Sequence, residues 1–386
     1  MVVKTLKDKI VFGPDYVSID FCPVAKDTGQ ETFLLGTFNP GMTRLKNGNV
    51  LLMIRMAETL KGFKGKDVVY TPRMDLKKKK FVLDTYPRKH VKFSDPRHFD
   101  IKQPNGETAI RLTSVSWLLP VEMSPDGMKV VKIHYTKAIL PEKVYQEYGI
   151  EDPRITKIKN KYYMTAVGVS PNKICTCMYE SSNGLDYKLK GVIFGNQNKD
   201  VVLFPEKIKG RYVALTRPEG PSNIAFPYEH GSLVGGEYIN ISYSPDLKYW
   251  TPYDEFLLTL KKDSLFDKKI GNNSPPILMD FNRKKYWFFL FHGVQSGTKG
   301  VGVYRTFAAL LDKNNPTKIF KIKYKPFLEP NLKLEKRIRE ILLLKNVVFT
   351  TGMIPDGKDY LICSGEADTV VRMTKVSKEA IVKFFS

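Results

Sequence analysis

Two carboxylates, Glu151 and Asp152, stand against a Pro-Arg pair in YGIEDPRITKIKNKYYMTAV, residues 148–167. Asp152 belongs to a recurring set. Polar residues in otherwise apolar settings appear at Asn39 in FNPG, Asp152 in EDPR, Lys199-Asp200 in NKDVVLFPE, Asn272-Asn273 in GNNSPP and Asn346 in KNVVF. Each comes 10 to 14 residues before an apolar or aromatic run. A second set, Arg55, Arg217, His292 and Ser364 leading to Asp368, falls near the far ends of four of those runs. Carboxylates accompanied by cations suit glycosyl transfer. An alkoxide leaves poorly, so the glycosidic oxygen needs a proton, which a carboxylic acid of raised pKa supplies. Water attacking the opposite face would need a second carboxylate as base. Phosphate is already anionic and needs cationic donors to hold it in line. The Lys, Arg and His content of these positions favours phosphate.

The competing reading is structural. Polar residues flank every strand, and Asp152 also reads as an Asp-Pro turn with Arg154 a surface charge. Pro153 biases Asp152 toward an extended backbone. No His/Cys/Asp group has metal-ligand spacing, and neither a nucleophile elbow nor a Walker loop is present. GTKGVG at 297–302 is glycine-rich, but no helical pattern follows it.

The elements that must position these residues are strands. Short Val/Ile/Tyr/Phe runs alternate with Gly/Asn/Pro/Lys turns almost throughout, which predicts an all-β fold. Five hairpin-like units recur: TRLKNGNVLLMIR, PRITKIKNKYYMTAV, PEKIKGRYVALTR, PPILMDFNRKKYWFFLFH and GMIPDGKDYLICSG. Their second strands open near Val50, Tyr162, Tyr212, Tyr286 and Tyr360, with gaps of 112, 50, 74 and 74 residues. That spacing predicts a five-bladed β-propeller as a single domain over 1–386, with a two-sheet sandwich as the alternative. An N-terminal extension (about 1–30) and a lysine-rich insertion (about 60–105) lengthen it. SSNGLDYK and YSPDLKYW share a Ser, a polar turn and an aromatic and are read as outer strands of neighbouring blades. The pairs Tyr162-Tyr163 and Tyr286-Trp287 are read as packing between blades. In a propeller the innermost strands follow the central channel, so polar groups at matching points would converge at one mouth.

Composition narrows the partners. The formal charge is +22, from 62 Lys and Arg against 40 Asp and Glu. The lysines are scattered, with one run at Lys77–Lys80 read as a solvated loop, and no nucleic-acid signature accompanies them. A basic field would also draw in a phosphorylated substrate. No apolar run is long enough for a membrane span, and no signal peptide is read at the N-terminus. Cys22, Cys175, Cys177 and Cys363 are irregularly spaced, which fits neither a disulfide framework nor zinc. The expected location is cytoplasmic.

Six segments in order, from about residue 33 to 372, carry a resemblance: FNPGMTRLKNGNVLLMIR, GIEDPRITKIKNKYYMTAV, NKDVVLFPEKIKGRYVALTRP, IGNNSPPI with FLFHG, YRTFAALLDKNNP and GEAD. Together they are similar to glycoside hydrolase family 130, the β-mannoside phosphorylases and related β-mannosidases. The resemblance implies a five-bladed propeller and inverting phosphorolysis at the non-reducing end, releasing α-mannose 1-phosphate. It implies inorganic phosphate as co-substrate with no cofactor or metal, and β-manno-oligosaccharides as partners. It makes Asp152 the general acid, acting through the mannosyl 3-hydroxyl. It places phosphate on Lys199, Arg217, a lysine before IGNN (Lys269 in preference to Lys268), His292 and Tyr304. The sugar falls on Asn39, Arg55 and Asp368, joined by Asp200 next to the phosphate lysine.

GEAD departs from a more usual GAAD-like pattern and is expected to alter the sugar site. The region 60–140 matches little in the family; an acceptor-site wall and a contact in a homo-oligomer are both open. Hydrolytic members have lost basic residues and gained a glutamate base, so Glu206, Glu219, Glu229 and Glu237 keep a β-mannosidase as the alternative. A non-catalytic glycan-binding propeller is the third reading. Neither linkage nor acceptor is legible.

Overall fold

The computed structural model describes residues 2–103, 105–171, 173–219, 237–251, 255–296 and 301–386. Strands dominate, and the described residues include three short α-helices, Pro23–Thr28, Leu332–Arg337 and Lys378–Phe385. The second strands of the five hairpins begin at Val50, Lys161, Tyr212, Lys284 and Asp359. Asn, Gly and Lys at the tips supply the left-handed turn residues, such as Gly48, Lys159, Lys209, Asn282 and Gly357.

Five antiparallel groups follow one another along the chain. In the first, Thr32–Arg44 pairs with Val50–Leu60, then Val115–Met123 and Val130–Ile133. The second runs Gly149–Ile158, Lys161–Val169, Ile174–Ser181, Lys188–Val192. A parallel pair, Gly149 with Ser116, joins these two into one eight-stranded sheet. The third runs Asn198–Leu203, Tyr212–Pro218, Tyr238–Ser244, Glu255–Thr259. In the fourth, Lys269–Asn272 and Ile277–Phe281 both pair with Lys284–Gln295, followed by Val303–Asp312 and Ile319–Leu328. The fifth runs Val348–Asp356, Asp359–Glu366, Val370–Ser377, and Lys7–Phe12 from the N-terminal segment forms its outer edge.

Apolar residues on both faces of these strands pack each group against its neighbours. Leu51, Met53 and Leu118 of the first meet Ile150 and Met164 of the second. Ile158 and Met178 meet Val201 and Ala214 of the third. Val202 and Leu215 meet Trp287 and Phe289 of the fourth. Phe288 and Leu310 meet Ile362 and the helix residues Phe384 and Phe385. Leu361 and Met373 of the fifth meet Leu52 and Trp117 of the first. Burying each large side chain of this kind stabilises the fold by about 1.5–3 kcal/mol. Tyr162, Tyr286 and Trp287 are buried in these seams, as expected of packing residues.

One expectation changes. SSNGLDYK and YSPDLKYW are not outer strands; they are the turns leading into them. Ser181 and Ser244 cap the two turns by accepting from the amides of Gly184 and Leu247, and Asn183 and Asp246 accept from Leu185 and Lys248. Their polar side chains replace ladder hydrogen bonds, which ends a strand. The lysine-rich insertion is built of strands. It folds into a hairpin, Val68–Asp75 with Lys80–Pro87, and a three-stranded sheet, Val91–Asp95, His98–Lys102 and Thr108–Leu112. Lys77–Lys79 are exposed at the hairpin tip.

A buried carboxylate ties the N-terminal segment to this frame. Glu58 accepts from the backbone amides of Val24 and Ala25, from Thr32 Oγ1 and from Trp117 Nε1. Burial raises its pKa despite these four donors.

Candidate active site

The opening strands of the first three groups share one irregularity. Their register slips between Phe38 and Gly41, between Glu151 and Arg154, and between Lys199 and Val202. In each, one extra residue is inserted, forming a β-bulge that re-aims a side chain. The residue at the bulge has positive φ: Asn39 at +49°, Asp152 at +48° and Asp200 at +52°. Asn and Asp enter the left-handed region at lower cost than other residues with a side chain, which explains their presence here. Asp152 is therefore not extended as the following proline suggested; the bulge overrides that bias. Arg55 and Arg217 stand opposite Phe38 and Lys199, each one residue ahead of the bulge.

These bulges feed one cavity of about 280 Å³. Its wall includes Asn39, Arg55, Asp152, Lys199, Asp200, Arg217, Lys269, Tyr304 and Asp368 from the expected set. Asp152 Oδ1 accepts from Asn39 Nδ2 at 2.9 Å and from Arg55 Nη1 at 3.0 Å. Both bonds fall on one oxygen, which leaves Oδ2 to the cavity. Burial pushes the Asp152 carboxyl upward, but Arg55, Arg154 and the Asn39 bond outweigh it, and it sits below its ordinary value. The sequence leads one to expect an acid of raised pKa; Arg55 instead holds it ionised. Asp368 lies in the opposite direction. Burial raises it, and the nearby Arg97 and Arg55 offset only part of the rise.

A cationic group occupies another part of the wall. Asp200 bonds Arg154 Nη2 through Oδ1 at 2.9 Å and meets Arg217 Nη1 through Oδ2 at 3.0 Å. Burial opposes its charge, yet Arg217 and Arg154 hold it far below the carboxylate range. Both Asp200 oxygens are thus committed to guanidinium groups. Arg217 Nη2 also meets Glu219 Oε1 at 2.5 Å, and Lys269 Nζ lies 4.0 Å from the same oxygen. Arg217 and burial together bring Lys269 down to about 7. Lys199 has no carboxylate within ion-pair distance among the described residues. Gly271 makes this packing possible: a Cβ there would come within 2.5 Å of His292 and 2.8 Å of both Arg217 and Asp200.

Several residues lie elsewhere. His292 is fully buried behind Arg217 and does not line the cavity. Its Nδ1 donates to Asn273 Oδ1 at 3.1 Å, and its Nε2 faces Arg217 Nη1 at 3.4 Å. Burial lowers it to about 3, so the ring is neutral. Asn272, Asn273, Asn346, Ser364 and Lys268 are also off the wall. Glu366 of GEAD points away into a pair with Arg372, so its effect on the sugar site is not direct. Glu206 is exposed on the turn before Tyr212–Pro218, and Glu237 precedes Tyr238–Ser244. Glu229 and residues 297–300 of GTKGVG fall outside the described residues.

Other contributors were not anticipated. Arg154 is not a surface charge; it is 2% exposed. Its Nη1 donates to the Asp152 carbonyl at 2.7 Å and its Nε to the Asn273 carbonyl at 3.0 Å. Glu151 lines the cavity and meets Arg55 Nη2 at 2.8 Å. Arg97, His98 and Leu112 reach the wall from the insertion. One signal pointed there: Asp-Pro-Arg occurs twice, at 95–97 and 152–154.

The family model described as beta-1,4-mannooligosaccharide phosphorylase matches residues 113–386. A beta-1,2-mannobiose phosphorylase of Listeria innocua serovar 6a is 31% identical over 342 residues, covering 87% of each chain. A 1,2-beta-oligomannan phosphorylase of a Thermoanaerobacter species is 32% identical over 253 residues, 64% of this chain and 75% of the relative. The solved beta-1,2-mannobiose phosphorylase from Listeria innocua, in complex with beta-1,2-mannobiose, superposes with a TM-score of 0.81 at 28% identity. It covers 98% of this chain and 99% of that one.

Proposed function

The chain belongs to glycoside hydrolase family 130, and from that membership we propose that it is a β-mannoside phosphorylase. It cleaves a β-mannosidic bond at the non-reducing end with inorganic phosphate and releases α-mannose 1-phosphate with inversion. The observation that carries this reading is the arrangement of one cavity. A bulge-mounted carboxylate, Asp152, stands in it together with Lys199, Arg217 and Lys269.

A phosphate oxygen attacks the anomeric carbon as the bond to the leaving oxygen breaks. Lys199, Arg217 and Lys269 hold the anion in line, and the leaving oxygen receives a proton that originates on Asp152, relayed by the mannosyl 3-hydroxyl. Arg55 and Arg154 keep Asp152 ionised, so it must gain a proton before it can donate one. A phosphate dianion entering the same cavity repels the carboxylate charge and shifts Asp152 toward the acid form. Asn39, Arg55 and Asp368 hold the mannosyl unit. Asp200 in the wall and His292 behind it fix Arg217. No cofactor takes part.

The matching bulges and the order of the apolar seams, each group on the next and the fifth on the first, support a single five-bladed propeller with these side chains at one mouth. The names of the two relatives support a β-1,2 linkage over β-1,4. Incubation with β-1,2- and β-1,4-mannobiose, each with and without phosphate, tests the whole reading. Product is expected from the β-1,2 disaccharide, as α-mannose 1-phosphate, only when phosphate is present. Asp152→Asn is expected to lower kcat about 10²- to 10⁴-fold. Glu219, beside the cations, favours hydrolysis as the second reading, and free mannose appearing without phosphate is its signature.

A further inference from the structure

The family model begins at residue 113, yet part of the cavity wall comes from the insertion before it. The contact is made by the turn Asp95-Pro96-Arg97-His98, between Val91–Asp95 and His98–Lys102. The turn is held rigid. Asp95 Oδ1 accepts from the Arg97 amide at 2.8 Å and from Arg97 Nε at 2.9 Å, and Asp95 Oδ2 accepts from Arg97 Nη2 at 2.8 Å. Thr113 donates its hydroxyl to the Pro96 carbonyl at 2.8 Å and its amide to the Arg97 carbonyl at 2.9 Å. One Arg97 nitrogen remains for the cavity: Nη1, 3.5 Å from Asp368 Oδ2.

We propose that Arg97, with His98 beside it, forms the subsite for the sugar on the leaving side of the scissile bond, bordering the mannosyl site at Asp368. This rests on the phosphorylase reading. Inverting displacement puts nucleophile and leaving group on opposite faces of the mannosyl ring. The phosphate cations Lys199, Arg217 and Lys269 cluster around Asp200 and Glu219. Asp152, the proton donor, is tied instead to Arg55, and Asp368 lies within electrostatic reach of both. Arg97 extends that second cluster outward. Its side chain is 37% exposed and that of His98 29%, against 14% for Asp152. They stand toward the opening, where a departing sugar must pass. Asp95 neutralises the Arg97 charge, so the pair is suited to neutral hydroxyls rather than a second anion. Arg97 Nη1 is the donor such a hydroxyl would meet, at the border with Asp368.

Synthesis from α-mannose 1-phosphate, with mannose or β-1,2-mannobiose as acceptor, separates the two sides of the site. Losing one charged donor is expected to raise the acceptor KM of Arg97→Gln about tenfold or more, with the α-mannose 1-phosphate KM within about twofold of the parent. A merely structural defect would move both constants together, and that outcome, or an unchanged acceptor KM, overturns the subsite. If Arg97→Gln does not fold, His98→Ala, read by the same two constants, is expected to raise the acceptor KM alone. A parent enzyme that makes no mannoside overturns the phosphorylase reading and the subsite with it. An active parent with unaltered acceptor KM in the variants overturns the subsite alone.

Discussion

Arg55 donates through Nη1 to the Asp152 carboxylate at 3.0 Å, and this contact holds the proposed acid in its ionised form. An acid catalyst works only below its own pKa, so Arg55 sets the alkaline limit of the reaction. Arg55→Gln removes a positive charge and lets the Asp152 pKa rise toward the value set by burial. The alkaline limb of the kcat/KM profile is expected to move to higher pH, while the sugar KM increases. A limb that stays in place separates Asp152 from the step that limits the rate. For stability the sign is the reverse. A carboxyl lowered by folding contributes above its unfolded pKa, near 3.8, and that contribution is lost as pH falls through the folded value.

Lys269 sits at about 7 because Arg217 and burial disfavour its charge. Above that pH the site loses a phosphate-binding cation. The phosphate KM is expected to rise as pH increases through about 7 in the parent, more than phosphate ionisation alone accounts for. Lys269→Met keeps only the phosphate term and is expected to show a higher KM with a flatter pH dependence. Steady-state assays from pH 6 to 8.5 make the comparison. The unfolded chain keeps this proton up to 10.5. Folding stability from this group therefore increases with pH between about 7 and 10.5, and thermal melts of parent and variant read the difference.

Glu219 occupies Arg217 Nη2 at 2.5 Å and stands 4.0 Å from Lys269. It competes with phosphate for both. Glu219→Gln, assayed well below the Lys269 pKa because losing the carboxylate lowers that pKa further, is expected to lower the phosphate KM several-fold, as one charged competitor is removed. If phosphate-independent release of mannose vanishes in this variant instead, Glu219 serves as a base for water.

Arg154 joins three groups through the Asp152 carbonyl, the Asp200 carboxylate and the Asn273 carbonyl. Arg154→Met leaves the Asp152 and Asn273 carbonyls without this donor and the buried Asp200 carboxylate with Arg217 as its remaining guanidinium. A loss of about 3–5 kcal/mol is expected, read from urea midpoints, with a fall in kcat from a displaced Asp152. A variant of normal stability and activity would show that the bulge holds its shape unaided.

The sequence showed the hairpins and the recurring polar positions because both depend on neighbours along the chain. Alternating apolar residues fix the strands, and Asn or Asp marks each left-handed bulge. What stayed hidden depends on contacts distant in sequence. Arg97 reaches Asp368 across 271 positions, and only the second Asp-Pro-Arg hinted at it. Arg154 was taken for a surface charge because its partners, Asp200 and Asn273, come from other groups. His292 appeared to be a ligand from its place on a strand, but the order of layers behind the wall, with Arg217 in front, exists only in three dimensions.

The edge strand Lys7–Phe12 pairs with Val371–Lys375. Its partner follows far along the sequence, Thr374 lying 366 positions after Asp8, so this strand waits unpaired while the strands between them are made. The earlier groups can assemble from local hairpins meanwhile. Closing the fifth group is then slow relative to the other four, because its contact spans all of them in sequence. Until that step the lone strand is an open edge for other nascent chains, and the lysines Lys7 and Lys9 along it are the feature that discourages such pairing.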